Sequence, residues 1–331
     1  MLQLLIGTAT AQTVTFDLNA QQAADAGVDV DAVEQDLGGA ITDQLGLADP
    51  DAYLRQFANA DAMALKGMGV DYASNPKKFS IGGVVGSSVS GVPLSFVRGP
   101  TELPEGGFAF MASLCAGVNL GMFTPGDKGP LDHLMVYVNG LAFSPPANRT
   151  FRASMYNFGA HAQLKLFGPV NLKVVEWGGL DLTAGYERSF YALELTQALP
   201  LTQATGPGSL TWTATGDYRI SAGAGTIPLE LSTNLRLLVA TAYVGAGLDL
   251  NTATATSAAS LSGPVEAKVA GESADIGSVG VSIDGAGDAD PAVGRLFVGV
   301  QANVLLLKVF GHLNVGLNDT YGGFVGVRIA L

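Results

Sequence analysis

The chain has 331 residues, of which 48% are apolar and only 14% are charged. Soluble proteins usually carry about 25% charged residues, so this composition suits a protein whose outer surface contacts lipid. The net charge of -12 and the pI of about 4.5 argue against nucleic acid as a partner, because no basic surface is available for phosphates. The single cysteine, Cys115, excludes an internal disulfide and any multi-cysteine metal site.

The first eleven residues resemble the end of a secretory signal. An apolar stretch, Leu4 to Ile6, leads to Ala9-Thr10-Ala11, which is a small-residue cleavage pattern before Gln12. The basic residues that usually begin such a signal are missing, since the first cationic residue of the chain is Arg55. We interpret residues 1–11 as a signal-peptide remnant, with an apolar first strand as the alternative.

Residues 12–77 have a helical pattern. Val33, Leu37 and Ile41 recur at a spacing of four, and the polar face carries Asp31, Glu34, Gln35 and Asp36. Asp49-Pro50 is a typical helix start, and Gly67 is a suitable end for a second helix that runs to about residue 66. The sequence therefore predicts an N-terminal α-helical segment, lying either in the periplasm or in a barrel lumen as a plug.

From residue 78 to residue 331 the chain alternates between two-faced strands and turns. Between Phe108 and Met122 every second residue is apolar, which indicates a strand of about fifteen residues with two chemically different faces. An antiparallel strand that crosses a bilayer needs about nine to eleven residues. No stretch of 18 apolar residues suggests a membrane-spanning helix, and only a closed barrel then satisfies the backbone inside lipid.

The rhythm of the turns predicts about ten strands, with eight, twelve and fourteen left open. Short and long connections alternate, as expected when one rim faces the periplasm and the other faces outward. We interpret the segment 197–225 as a polar region with one hairpin above the membrane. The segment 252–292 is rich in Ala, Ser, Thr, Gly and Asp and predicts a long exposed loop. The fold class is thus an all-β transmembrane antiparallel β-barrel with an N-terminal helical segment.

The terminal strand GGFVGVRIAL is similar to the C-terminal strand that the barrel-assembly machinery reads in bacterial outer-membrane β-barrel proteins. Residues 79–331 resemble that class, although the signal usually ends in an aromatic residue and this chain has Leu331. The resemblance implies a bacterial outer-membrane location, with outer-membrane lipids and the barrel-assembly machinery as partners. The helical segment, with Ser74-Asn75-Pro76 before the first strand, resembles the plug of FadL-type transporters of hydrophobic compounds.

Polar and charged residues on the inward face are the candidate lumen-lining residues. In a narrow barrel such groups pair across the lumen and fill it, because an unpaired buried charge is costly. In a wider barrel they line a wet channel and set its selectivity. The candidates are His161, Lys165, Asp181, Glu187, Glu230, Arg236, Asp249, Arg295, Gln301, His312 and Arg328.

The sequence predicts no catalytic residue, metal site or cofactor. His161 and His312 point inward by phase, but no HExxH, paired Cys or His-x-His spacing accompanies them. The carboxylates between Asp284 and Asp290 lack the order of an EF-hand, so we interpret them as part of a solvated loop.

These observations favour a barrel that passes small solutes across the outer membrane. The alternative is a structural or surface-interaction barrel, with a filled lumen and functional loops at 197–225 and 252–292. A soluble β-sandwich is the third hypothesis.

Overall fold

A computed structural model provides the coordinates. Residues 1–10 of the predicted signal remnant, and Asn75 of the Ser-Asn-Pro motif, lie outside the described residues. The structure describes residues 11–45, 50–74, 76, 78–91, 106–124, 129–146, 150–205, 208–269 and 272–331.

The wall is a closed ring of ten antiparallel strands. The ring closes where the last strand pairs with the first, Thr320 with Ser90 and Ala330 with Ser80. The prediction of about ten strands is thereby confirmed, and the soluble β-sandwich is wrong. In ring order the strands are β2 (Phe79–Ser90), β3 (Gly107–Asn119), β4 (Leu134–Phe143), β5 (Phe151–Phe167), β7 (Val175–Thr205), β8 (Gly208–Leu237), β9 (Ala240–Val269), β11 (Ala292–Val304), β12 (Leu307–Gly316) and β13 (Thr320–Ala330).

The outward face of this wall is apolar. Val298, Val300 and Val304 are 49%, 63% and 60% exposed, although they lie in the most hydrophobic part of the chain. Exposure of so many large apolar side chains is typical of a surface that contacts acyl chains rather than water. Within the described residues, no helix is both long enough and apolar enough to cross a membrane.

Three strands continue far beyond the barrel: β7, β8 and β9 have 31, 30 and 30 residues. Two more strands, β10 (Glu272–Asp288) and β1 (Ala11–Leu18), extend this sheet at the side of β9. A two-residue strand, β6 (Val170–Asn171), pairs with β7 at the other end of the barrel. We call the projecting sheet and the helices on it the lobe; it comprises the described residues of 11–45, 196–220 and 256–288.

The prediction of a loop over 252–292 is wrong. The segment forms the outer half of β9 and all of β10, paired from Thr254 with Asp288 to Val269 with Glu272, with one register shift between Asp275 and Gly277. Its alternation of Ala or Val with Ser or Thr is too weak in hydrophobicity to stand out from a loop composition. The buried alternate residues, such as Ala255, Val265 and Val279, gain their partners only from distant parts of the chain.

The inner face of the lobe is covered by two helices, α1 (Ala20–Asp25) and α2 (Val30–Leu45). Val33, Leu37 and Ile41 of α2 are buried against the sheet, as their spacing predicts. Trp212 is fully buried beneath them, and its indole N–H donates to the carbonyl of Val279 at 3.1 Å. The strand β1, by contrast, contains Ala11 of the predicted signal remnant and residues 12–18 of the segment that we predicted to be helical. Its pairing with β10 is a tertiary contact that local periodicity does not reveal.

A third helix, α3 (Pro50–Ala64), enters the barrel, and the chain continues through it to the first strand. Gly67 follows the helix with a φ of +82°, a left-handed conformation in which glycine is favoured. All sixteen residues from 58 to 73 are buried. We call residues 50–74 the plug.

Candidate functional site: the filled lumen

The first level of the lumen, beneath the lobe, is apolar. Leu54 and Ala58 of the plug are fully buried against Ile220, Ala222 and Ala255 of β8 and β9. Small residues on the strands leave room for the helix to approach the wall closely, and this contact stabilises the plug through apolar burial.

The middle level is polar and holds the first buried charge of the plug. The Ser189 hydroxyl donates to the Asp61 carboxylate at 2.9 Å, and both side chains are fully buried.

One turn further along, an ion pair joins the plug to the wall. Lys66 donates to Glu187 at 2.8 Å, and both side chains are 2% exposed. His161 lies beside this pair, with its Nε2 3.6 Å from the other oxygen of Glu187. A buried charge needs a partner, so Glu187 and Lys66 stabilise each other only while the plug is in place.

The third level, which we call the inner level, lies farthest from the lobe. A second ion pair holds the plug there. Arg328 lies 3.3 Å from the Asp71 carboxylate, and its guanidinium also donates to the carbonyl of Val70 at 3.1 Å. The same guanidinium lies 3.8 Å from the centre of the Phe310 ring, which adds a cation–π contact.

Tyr72 anchors this inner level in an aromatic cluster. Its hydroxyl donates to Glu230 at 2.6 Å. Its ring lies 4.9 Å from that of Phe297 and 5.5 Å from that of Tyr243. His312 stacks on Tyr72 from another side at 5.6 Å. Four wall strands, β8, β9, β11 and β12, thus contact one plug side chain.

Glu230 also belongs to a charged cluster within the wall. Arg295 donates to Glu230, to Asp249 at 2.9 Å and to Asn314 at 2.7 Å, and its side chain is fully buried. This arginine joins β11 to β8, β9 and β12, while Asn314 also donates to the plug at the carbonyl of Lys66, 3.0 Å away. The wall and the plug therefore share one hydrogen-bond network.

All eleven residues predicted to line the lumen face the barrel interior. Nine are buried, whereas Lys165 and Arg236 keep part of their side chains exposed. Some contact only the wall, as Lys165 does with Asp181 at 2.9 Å. Others contact the plug directly: Glu187, Glu230, Arg236, Gln301, His312 and Arg328.

Sequence reasoning missed the plug side of these contacts. Lys66 lies at the end of the predicted second helix, and Asp71 and Tyr72 follow in a stretch with no period of its own. The only local signal was the pair of glycines, Gly67 and Gly69, which marks a tight chain path without naming a partner. At Gly69 a Cβ atom would lie 2.5 Å from the Asn139 side chain, so the wall requires glycine there.

Little free space remains beside the plug where Lys66 faces β9 and the turn before β13. A cavity of about 10 Å³, lined by Asn59, Lys66, Asp249 and Asn318, has room for one water molecule at most. Among the described residues, no group of His, Cys, Asp and Glu is placed to hold a metal ion. At this level the plug, as far as the structure describes it, occupies the interior of the barrel.

The chain is similar in fold to several solved structures. The CymD monoaromatic hydrocarbon channel shares 10% identity at a TM-score of 0.26, with 83% of this chain and 98% of that one covered. The translocator domain of the autotransporter NalP from Neisseria meningitidis shares 9% at 0.29, with 93% and 100% covered. At TM-scores this low, these likenesses carry no argument about this chain.

No functionally curated protein matches the sequence. A family match, however, covers nearly the whole chain, including the lobe, the plug and the barrel. Because it extends over residues 9–331, the chain belongs to the Lsa36-like family.

Proposed function

We propose that this protein is an outer-membrane barrel closed by its own plug, which acts at the cell surface through the lobe. The observation that carries the proposal is the unbroken burial of residues 58–73 inside the ring of strands. A helix that is buried on every side occupies the space through which a solute would pass.

The lobe supports a surface role because its outward face is polar, as suits a region that contacts water beyond the lipid. Its outward face presents Ser and Thr side chains on adjacent strands, for example Thr213, Thr215, Ser260 and Ser262, all exposed. Loops and projections held by a rigid scaffold are where binding residues concentrate. The barrel is then the anchor, and the lobe is the part that contacts other molecules.

Passage of small solutes is the second candidate, and one observation favours it. Below its first turns the plug is held largely by ion pairs and hydrogen bonds, Lys66 with Glu187 and Asp71 with Arg328. Water can replace such contacts more readily than it can replace apolar packing. A conducting state would therefore require the plug to move, exposing the charged wall as a channel lining.

Conductance of the purified protein in planar bilayers separates the two candidates. We expect the unmodified protein to show no current steps. The double variant Lys66→Ala, Asp71→Ala should open transiently, because it removes both ion pairs between plug and wall. Lys165→Ala is the matched control, since the ion pair with Asp181 joins two wall strands. Steady conductance of the unmodified protein would contradict closure and favour solute passage.

A further inference from the structure

We infer that the barrel carries its own N-terminal segment across the membrane and displays residues 11–45 on the outer surface. The inference rests on the outer-membrane placement proposed above, but concerns a different property, the path of the chain. In this arrangement the barrel displays a segment of its own chain, residues 11–45, on the outer surface and does not keep that segment inside the cell.

The direction of the plug follows from the residues that it contacts along β2. At the lobe end, Ser90 at the end of β2 donates to the Gln56 side chain at 2.6 Å. Two residues earlier on β2, Ser88 bonds to the carbonyl of Ala60 at 2.5 Å. A Cβ atom at Gly86, two residues earlier again, would touch Met68 at 2.6 Å. The plug therefore runs antiparallel to β2, from the lobe end of the barrel toward the opposite rim.

The far end of the plug reaches the opposite rim. Gln301 donates to the Ser74 hydroxyl at 2.8 Å, and Arg236 donates to the Ser74 carbonyl at 3.0 Å. Arg236 precedes the turn between β8 and β9, and Gln301 lies near the turn between β11 and β12. Lys78 then bonds to the backbone of Leu331 at 2.8 Å as the chain enters β2. One continuous segment thus runs through the barrel from rim to rim.

The two rims differ in a way that sets their orientation. At the rim that Ser74 reaches, β8 and β9 are joined by two residues, 238–239, and β11 and β12 by two residues, 305–306. At the other rim the strands project into the lobe. Outer-membrane barrels have short periplasmic turns and longer extracellular connections, so the lobe lies outside the cell.

The segment before the plug is integrated into that outer lobe. All eight residues of β1 pair with β10, from Ala11 with Asp284 to Leu18 with Gly277. The backbone N–H of Asn19 adds a bond to the carbonyl of Ile276 at 2.9 Å. The apolar face of α2 then buries Val33 and Leu37 against the sheet. Residues 11–45 are therefore held outside, while the chain after the plug begins the wall from the periplasmic rim.

A chain synthesised inside the cell reaches this arrangement only if residues 11–45 cross the outer membrane. The plug is the part of that segment that stays in the lumen after the crossing. Its buried ion pairs with Glu187 and Arg328 hold it there and close the route that it occupies.

Labelling of single cysteines on intact cells with a membrane-impermeant maleimide tests the inference. The one native cysteine, Cys115, is buried at 7% exposure and provides a low background. Three exposed positions report three places: Asp31→Cys on α2, Ser260→Cys on the outward face of the lobe, and Val239→Cys in a short turn. Heat-modifiable migration on a gel shows that each variant has formed its barrel.

We expect Asp31→Cys and Ser260→Cys to react at least about tenfold faster on intact cells than Val239→Cys, which reacts only after permeabilisation. If Ser260→Cys reacts and Asp31→Cys does not, the N-terminal segment is not displayed and the inference fails, while the proposed function stands. If Ser260→Cys is itself protected on intact cells, the lobe is not outside, and both the inference and the proposed function fail.

Discussion

The barrel and the lobe are built from the same strands, yet their two faces are chemically reversed. Along β8 the even-numbered residues face inward without interruption. In the barrel these inward residues are polar, and the outward ones apolar; in the lobe the inward residues are apolar, and the outward ones polar. The inward sets are Glu230, Ser232 and Asn234 in the barrel and Leu210, Trp212 and Ala214 in the lobe.

The difference shows that the medium outside the sheet, lipid or water, decides which face of a strand is apolar. In the barrel the outward face meets acyl chains, and the interior can be polar because plug and wall satisfy each other's charges. Beyond the lipid the outward face meets water, so the interior must supply the apolar burial that stabilises the sheet. The strand keeps its phase, and the sequence changes its pattern at about residue 225 of β8 and residue 251 of β9.

Trp212→Ala should break the lobe and leave the barrel intact. The change removes a fully buried indole and its bond to Val279, and truncations of this kind cost about 3–5 kcal/mol. We expect the lobe to become sensitive to added protease while the barrel keeps its heat-modifiable migration on gels. Simultaneous loss of both properties would show that the two regions do not unfold separately.

A matched pair of arginine substitutions on the outward face of β9 sharpens the comparison. Val244→Arg places a charge near the middle of the apolar run and should cost about 2–4 kcal/mol, as for a cation at the bilayer midplane. Ser260→Arg, on the same face of the same strand, should change the free energy of unfolding by less than about 0.5 kcal/mol. Urea unfolding in phospholipid vesicles measures both, and equal costs would contradict the boundary between lipid and water on this strand.

The strength of the sequence prediction depended on how different the two faces of each strand were. In the barrel half of β9 and in β11 to β13, large aliphatic residues alternate with polar ones, which is the two-faced pattern that the sequence analysis interpreted as strands. In the outer half of β9 and in β10 the alternation is between Ala or Val and Ser or Thr, and it was interpreted as a loop. The helix over Val30–Leu45 was predicted because its apolar residues have a strong period.

The lumen shows the same limit for the site. Phase along the strands was sufficient to place Glu187, Glu230 and Arg328 on the inward face. Their partners lie far away in the chain: Lys66 is 121 positions from Glu187, Asp71 is 257 from Arg328, and Tyr72 is 158 from Glu230. No local pattern links the members of these pairs. The sequence therefore indicated which wall residues face the interior, but not whether water or protein faces them.

By itself the sequence determined the membrane-facing barrel, its approximate strand number and its helical segment, because periodicity and low charge are properties of neighbouring residues. The tertiary structure decided the rest: that the strands extend into a lobe, that β1 joins it, and that the plug runs from one rim to the other. These features depend on contacts between residues far apart in the chain, where pairing and burial select one arrangement from several that the local pattern allows equally.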